Sequence, residues 1–149
     1  SLEEATEGAP LLTLVTNSTQ PFLKSAMLEQ GAHINAMGAI VPARVEFTQD
    51  VFSRCAVVAV DNTDNVKNLS AEFQSYFANS PQKWANVWTI GRIISEGVTW
   101  PPNADLTLFK AMGMGISDLA MAIEIYKRVS GSDAVHLAPE RLKVPPRLM

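Results

Sequence analysis

An α/β fold, with a mostly parallel sheet and flanking helices, is what the hydrophobic pattern calls for. Three observations carry that expectation. Four short apolar runs, residues 11–16, 32–37, 56–60 and 106–110, are near-continuous or alternate every second residue, as buried strands do. Between them lie segments whose apolar residues recur at helical spacing. The runs end in polar or glycine-containing turns, and strands alternating with helices connect most simply through right-handed parallel crossovers.

Residues 1–7 are acidic and helix-compatible, and Gly8, Ala9 and Pro10 end them. LLTLVT at 11–16 reads as a strand buried on both faces, and Thr16 to Thr19 form a polar cluster at its carboxyl end. Residues 21–30 form a short helix or an irregular crossover. GAHINAMGA at 31–39 is the stretch that organises the rest: Ala32, Ile34 and Ala36 alternate with His33, Asn35 and Met37. The run stops at Gly38, where a backbone without a Cβ can bend sharply or approach a ligand. His33 has no carboxylate or second histidine nearby in sequence, so a structurally satisfied imidazole is preferred to a catalytic one.

Residues 48–54 read as a short helix with Thr48 as N-cap and Asp50 near its positive end. The strand at 56–60 follows and ends at Asp61. Asp61 and Asp64 in DNTDN lack the glycine and the distal glutamate of a calcium loop, so turn and helix capping is preferred. Residues 66–77 place Val66, Leu69, Phe73 and Phe77 on one helical stripe, broken by Asn79, Ser80 and Pro81. A second amphipathic helix is expected over 84–95, with Trp84, Val87, Trp88, Ile90, Ile93 and Ile94 facing a core. Pro101 and Pro102 then impose an extended connection to the strand at 106–110. AMGMG at 111–115 is a second glycine turn. Ser117 is expected to cap the last helix, which carries Asp118 in its first turn, Leu119, Ala122, Ile123 and Tyr126 as a stripe, Lys127 and Arg128 in its last turn, and Gly131 after it. Residues 1–131 are thus read as one partial domain, and 132–149, with Pro139, Pro145 and Pro146, as an extended tail.

Composition narrows the function classes. A chain of 149 residues suits one domain burying about 70% of its unfolded surface. A hydrophobic share of 47% with no apolar run near the ~18 residues needed for a bilayer argues against a membrane span. Net charge −3 with dispersed basic residues leaves no footprint for nucleic acid. Cys55 is the only cysteine, so no internal disulfide forms, and its place at the head of a strand suggests a buried thiol. SLEEATEGAP lacks the pattern of a secretory signal, giving an expected cytoplasmic location. The chain also starts in what reads as the end of a helix, which hints that Ser1 is not a natural beginning.

GAHINAMGA, the acidic step at Glu46, AVVAVD at 56–61 and LTLFKAMGMGISDLAMA at 106–122 together resemble the ornithine cyclodeaminase and mu-crystallin family, in order and spacing over roughly residues 1–130. The resemblance covers only the second half of that family's chain. It implies the second half of a Rossmann-type domain binding NAD or NADP. By resemblance, Thr16 lies against the nucleotide, Ile34, Asn35, Ala36 and Met37 contact it chiefly through backbone and close packing, and Arg44 matches a basic position near the nucleotide, where a guanidinium could pair with a phosphate. Ala111 replaces a serine that touches the nicotinamide carboxamide, and Met112 lines the substrate side. Each has a plainer reading as well: a turn hydroxyl at Thr16, a solvated arginine at Arg44, a core methionine at Met112.

Ile40 stands where the cyclodeaminase branch carries a proton-handling aspartate. Isoleucine has no titratable or hydrogen-bonding group, so a reductase of cyclic ketimines or imino acids, or an amino-acid dehydrogenase, is favoured over ornithine cyclisation with ammonia release. A non-catalytic ligand-binding or structural protein is the remaining reading. The glycine-arginine pair usual in the family is replaced by GVTWPPNAD. No GxGxxG loop is present, and by resemblance the substrate-binding lysine, arginines and glutamate lie in the other half, so this chain alone is not expected to catalyse. The expected partners are a small imino or amino acid and either the missing amino-terminal half or a second copy, giving an oligomer.

Overall fold

Strand alternation sets the frame. β1 (Leu11–Leu14), β2 (His33–Ala36), β3 (Cys55–Val60), β4 (Val87–Thr89) and β5 (Leu106–Lys110) form one sheet in the order β1-β2-β5-β3-β4, with every pair parallel. All carboxyl ends therefore lie on one rim. The computed structural model describes residues 1–130 except Asn79 and Trp100, in two units, 1–114 and 115 onward. The expectations for Gly131 and for the tail at 132–149 lie outside the described residues.

Register explains the core. Leu12, Ile34, Leu108 and Val58 are in register, as are Leu14, Ala36, Lys110 and Val60. These side chains share one face and are buried. That face packs against Phe47 and against Val51, Phe52, Val66, Phe73 and Phe77 from α2 (Asp50–Arg54), α3 (Thr63–Leu69) and α4 (Ala71–Phe77). Each fully buried phenylalanine contributes roughly 2–3 kcal/mol. Edge-to-face geometry adds specificity: Phe52 meets Phe73 at 4.8 Å between centroids and 85° between planes.

The opposite face of the sheet carries a polar ladder. His33 Nδ1 is 2.7 Å from Thr107 Oγ1, His33 Nε2 is 3.1 Å from Asn35 Oδ1, and Asn35 Nδ2 donates to Thr13 Oγ1. The imidazole is satisfied on both nitrogens, in keeping with its reading as structural.

Several expectations change. β1 is an edge strand whose residues alternate exposed and buried, with Leu11 59% exposed, so it is not covered on both faces. The single helix expected over 66–77 is two, α3 and α4, because Ser70 ends the first and caps the second through Phe73 N; Leu69 turns outward. The helix expected over 84–95 is a 3-10 turn (Pro81–Asn86), the strand β4 and α5 (Ile90–Glu96) capped by Thr89. Thr48 does not cap α2; its hydroxyl donates to Asp50 Oδ1 and lies 3.1 Å from Leu23 O. Asn62 rather than Asp61 caps α3. The Pro101 connection turns, with Ala104 N donating to Pro101 O. Residues 1–7 contain α1 (Leu2–Thr6), opened by a capping box on Ser1 and Glu4.

The second unit holds α6 (Gly115–Ser130), with Asp118 in its first turn and Lys127 and Arg128 in its last. Ser117 lies inside this helix rather than at its cap. Leu119, Ile123 and Tyr126 are exposed, and Arg128 pairs with Glu124 at 2.8 Å.

Candidate functional site

The rim collects Thr16 after β1, Met37 and Gly38 after β2, Asp61 after β3, and Ala111 to Gly113 after β5. Two carboxylates organise it. Glu46 is fully buried. Its Oε1 accepts from Thr16 N at 2.7 Å and from Thr16 Oγ1 at 2.8 Å; its Oε2 accepts from Gly38 N at 3.0 Å and Ala39 N at 3.1 Å. Asp61 does the same for the second turn, where Oδ2 accepts from Met112 N and Gly113 N, both at 2.8 Å, while Oδ1 takes Asn62 N. Each glycine turn is thus held by one carboxylate that receives two consecutive amides.

Gly38 has no positive φ, so it is not needed for an unusual turn conformation. Its reason is space: a Cβ there would lie 2.3 Å from Thr16 N and from Glu46 Oε1. The expected close approach exists, but the approaching group is the end of β1 rather than a ligand. Gly113, with φ +85° and nothing within 4 Å of a built Cβ, is the turn that needs glycine for its backbone and that opens outward.

Beneath the rim lies a buried charge cluster. Glu46 N donates to Glu72 Oε1 at 2.9 Å, Ser70 Oγ donates to Glu72 Oε2 at 3.1 Å, and Lys110 Nζ stands 3.2 Å from that same oxygen. Lys110 and Glu72 are both buried, and the lysine makes this ion pair without hydrogen-bond geometry. Buried charges are costly unless paired and hydrogen-bonded; Glu72 meets both conditions through Ser70, the Glu46 amide and Lys110, whereas Lys110 has the ion pair alone.

The residues expected at the nucleotide, together with Ile40 in place of the family aspartate and Met112 on the substrate side, fall into two groups. Thr16, Met37 and Ile40 are exposed at the rim, Ala111 is half-buried there, and Arg44 is half-buried in the turn closed by Arg44 N on Val41 O. Ile34, Ala36 and Met112 point into the core, and Asn35 is engaged in the polar ladder of the opposite face. Sequence reasoning missed Glu72, Lys110 and the bridging role of Asp61. Lys110 was legible, since it continues the buried phase of Leu106 and Leu108.

The rim's chemistry is selective. Amides of Thr16, Met37, Gly38, Ala39, Ile40, Ala111, Met112 and Gly113 all donate within the chain. No anion nest is left among them, so a pyrophosphate finds no cradle here. Among the described residues no cluster of His, Cys, Asp and Glu could hold a metal, and no helix is long and apolar enough to cross a membrane.

A parallel sheet of this order, with turns converging on its carboxyl rim, is a Rossmann-type frame of the kind found in dinucleotide-dependent oxidoreductases. More narrowly, the chain belongs to the Ornithine cyclodeaminase/mu-crystallin family, whose profile matches residues 1–133. Ketimine reductase mu-crystallin from Mus musculus is 32% identical over 127 residues, covering 85% of this chain and 38% of its own length. The solved Delta(1)-pyrroline-2-carboxylate reductase of Thermococcus litoralis, in complex with NADH and L-proline, superposes with TM-score 0.74 at 25% identity, covering 88% of this chain and 41% of that one. An archaeal alanine dehydrogenase dimer with bound NAD gives TM-score 0.71 at 27% identity, covering 85% and 40%. The chain spans about two fifths of the length of the relatives it matches.

Proposed function

We propose that this chain forms the nicotinamide-side half of the dinucleotide-binding domain of an NAD(P)-dependent oxidoreductase that reduces a cyclic ketimine or imino acid. The observation that carries the reading is the rim itself: parallel strand ends whose two turns are fixed by Glu46 and Asp61, with their amides closed to anions and an apolar surface at Met37 and Ile40 left open. A reduced nicotinamide bound there supplies a hydride to a C=N bond. The chain's own residues orient the ring: Thr16, Met37 and the Ala111 to Gly113 turn hold it, and Arg44 reaches toward the phosphates. The phosphate cradle and the proton donor come from the segment carrying the GxGxxG loop, either as a companion half or as part of the same polypeptide, and self-association gives an oligomer. Ile40, exposed at the rim, leaves the cyclodeaminase route without its acid. The unpaired thiol of Cys55 suits a reducing, cytoplasmic setting.

The test is a reductase assay with pyrroline and piperideine carboxylates and NADH or NADPH, using this chain completed by the glycine-loop half. Consumption of reduced dinucleotide with either imine supports the reading. Ornithine-dependent ammonia release, or dinucleotide binding without turnover of any imine, overturns it. Titrating the chain alone with NADH and NADPH, followed by tryptophan emission, tells whether the nicotinamide side binds unaided.

A further inference from the structure

We propose that Glu46 is a positioning residue of the dinucleotide rim, setting the distance between the ends of β1 and β2 through backbone atoms while touching no ligand itself. The inference rests on the dinucleotide reading above for the identity of the ligand, but its geometry does not.

Three observations lead to it. First, both carboxylate oxygens are saturated, each by two donors, and a carboxylate offers about four lone-pair sites in all. Nothing remains for a substrate, so a direct catalytic role is closed. Second, the main chain that carries Glu46 is itself fixed on several sides. Its carbonyl accepts from Phe22 N at 3.1 Å and Leu23 N at 3.0 Å, its amide donates to Glu72, and the preceding Val45 N donates to Ser18 O at 3.0 Å. A side chain projecting from so anchored a segment can serve as a rigid spacer. Third, Gly38 brings its backbone so close to Thr16 that no Cβ fits between them. Without the carboxylate, two adjacent amides and one further amide would face each other across that contact with no acceptor.

The consequence is functional because Thr16 and Met37, the exposed residues on either side of this junction, form one wall of the nicotinamide surface. Their separation is fixed by a group beneath them. Lys110 and Glu72 extend the support: Lys110 belongs to β5, immediately before the second turn, so a single buried cluster underlies the ends of β1, β2 and β5.

Glu46→Gln tests this sharply. The amide side chain has nearly the same shape but replaces one acceptor by a donor, which must confront either the Thr16 pair or the Gly38–Ala39 pair. Glu46→Asp shortens the spacer by one methylene and cannot reach both. Backbone amide hydrogen exchange is measured at Thr16, Gly38 and Ala39, with Ile34 and Leu108 as core references, and the affinity for NADH is measured on the same variants in the completed domain. Glu46→Gln is expected to speed exchange at one of the two donor pairs by about tenfold or more, to leave the core amides within about twofold, and to weaken NADH binding by about tenfold. Glu46→Asp should loosen at least one of the two pairs. Equal acceleration of rim and core, which a merely structural role would produce, overturns the proposal, as does unchanged NADH affinity with loosened rim amides. Wild-type protein that binds neither NADH nor NADPH would instead overturn the dinucleotide reading. The exchange measurement needs no ligand, so it still decides whether Glu46 holds the rim.

Discussion

Glu46 fills the place that a side chain at Gly38 would need: Gly38 N lies 3.0 Å from Glu46 Oε2, and a Cβ at residue 38 would fall 2.3 Å from Glu46 Oε1. Carboxylate and missing side chain form one device. The long acid reaches a junction that only glycine leaves open.

Gly38→Ala should therefore destabilise by overpacking. The other obstacles are Thr16 N at 2.3 Å and Thr16 O at 2.4 Å, backbone atoms held in the β1 terminus. A loss of about 2–3 kcal/mol is expected, read as a lower urea midpoint at unchanged m. Gly91→Ala is the control: it lies in α5 with nothing within 4 Å, and should gain about 0.5–1 kcal/mol. A Gly38→Ala chain as stable as the parent would mean that the two strand ends separate freely.

The Lys110–Glu72 pair gives a second prediction. Lys110→Met leaves Glu72 buried without its cation, and should cost about 3–5 kcal/mol. Adding Glu72→Gln keeps an acceptor for Glu46 N while removing the stranded charge, so the double variant should recover much of the loss. Urea denaturation of the two singles and the double measures the coupling. Additive losses would show that the two side chains do not act as a pair.

These relationships mark where sequence reading stopped. The β5 bounds, the parallel alternation and the satisfied His33 were legible because strand periodicity and the lack of a relay partner are local facts. The strand β4 was not, because Trp84, Val87 and Trp88 also satisfy helical spacing and a three-residue edge strand is too short to show alternation. The break at Ser70 was hidden because its hydroxyl caps a new helix without the glycine or proline that usually marks a stop. Glu46 and Glu72 are 26 residues apart, and nothing local announces that one side chain accepts from the other's backbone.

Acid sensitivity should centre on Asp105 and Asp50. The hydrogen bonds from Arg54, at 2.9 and 2.8 Å, hold the Asp105 carboxyl below its ordinary range, and the same contact raises Arg54. Hydrogen bonds from Ser25 and Thr48 lower Asp50 in the same way. A carboxyl that is a stronger acid when folded stabilises fully above its unfolded value, about 4, and loses that contribution as pH falls through the folded value. Thermal melts between about pH 6 and pH 2 should show a loss below about pH 4, part of it, kept modest by solvent screening of these exposed groups, removed in Asp105→Asn and Asp50→Asn. Both variants should be less stable than the parent at neutral pH. An acid limb unchanged by either substitution would assign the loss to other carboxylates.

Cys55 should be inert in the native chain and reactive once unfolded. Its thiol donates to Val51 O at 3.2 Å, and burial pushes it up to about 12, with the Asp105 carboxylate adding in the same direction and Arg54 opposing. Thiolate is the reactive form, so at about pH 8 alkylation should run roughly a thousandfold slower than for an ordinary thiol near 8.5, and urea should restore the ordinary rate. The same shift has a thermodynamic face. A thiol that is the weaker acid when folded leaves stability untouched below the unfolded value and erodes it as pH rises toward the folded one. Cys55→Ala should flatten that alkaline slope while opening a small void beside Val51. Native labelling at the rate of a free thiol would mean that the β3 entrance opens to solvent, and that the sheet's amino-terminal edge is far looser than the rim that Glu46 and Asp61 hold.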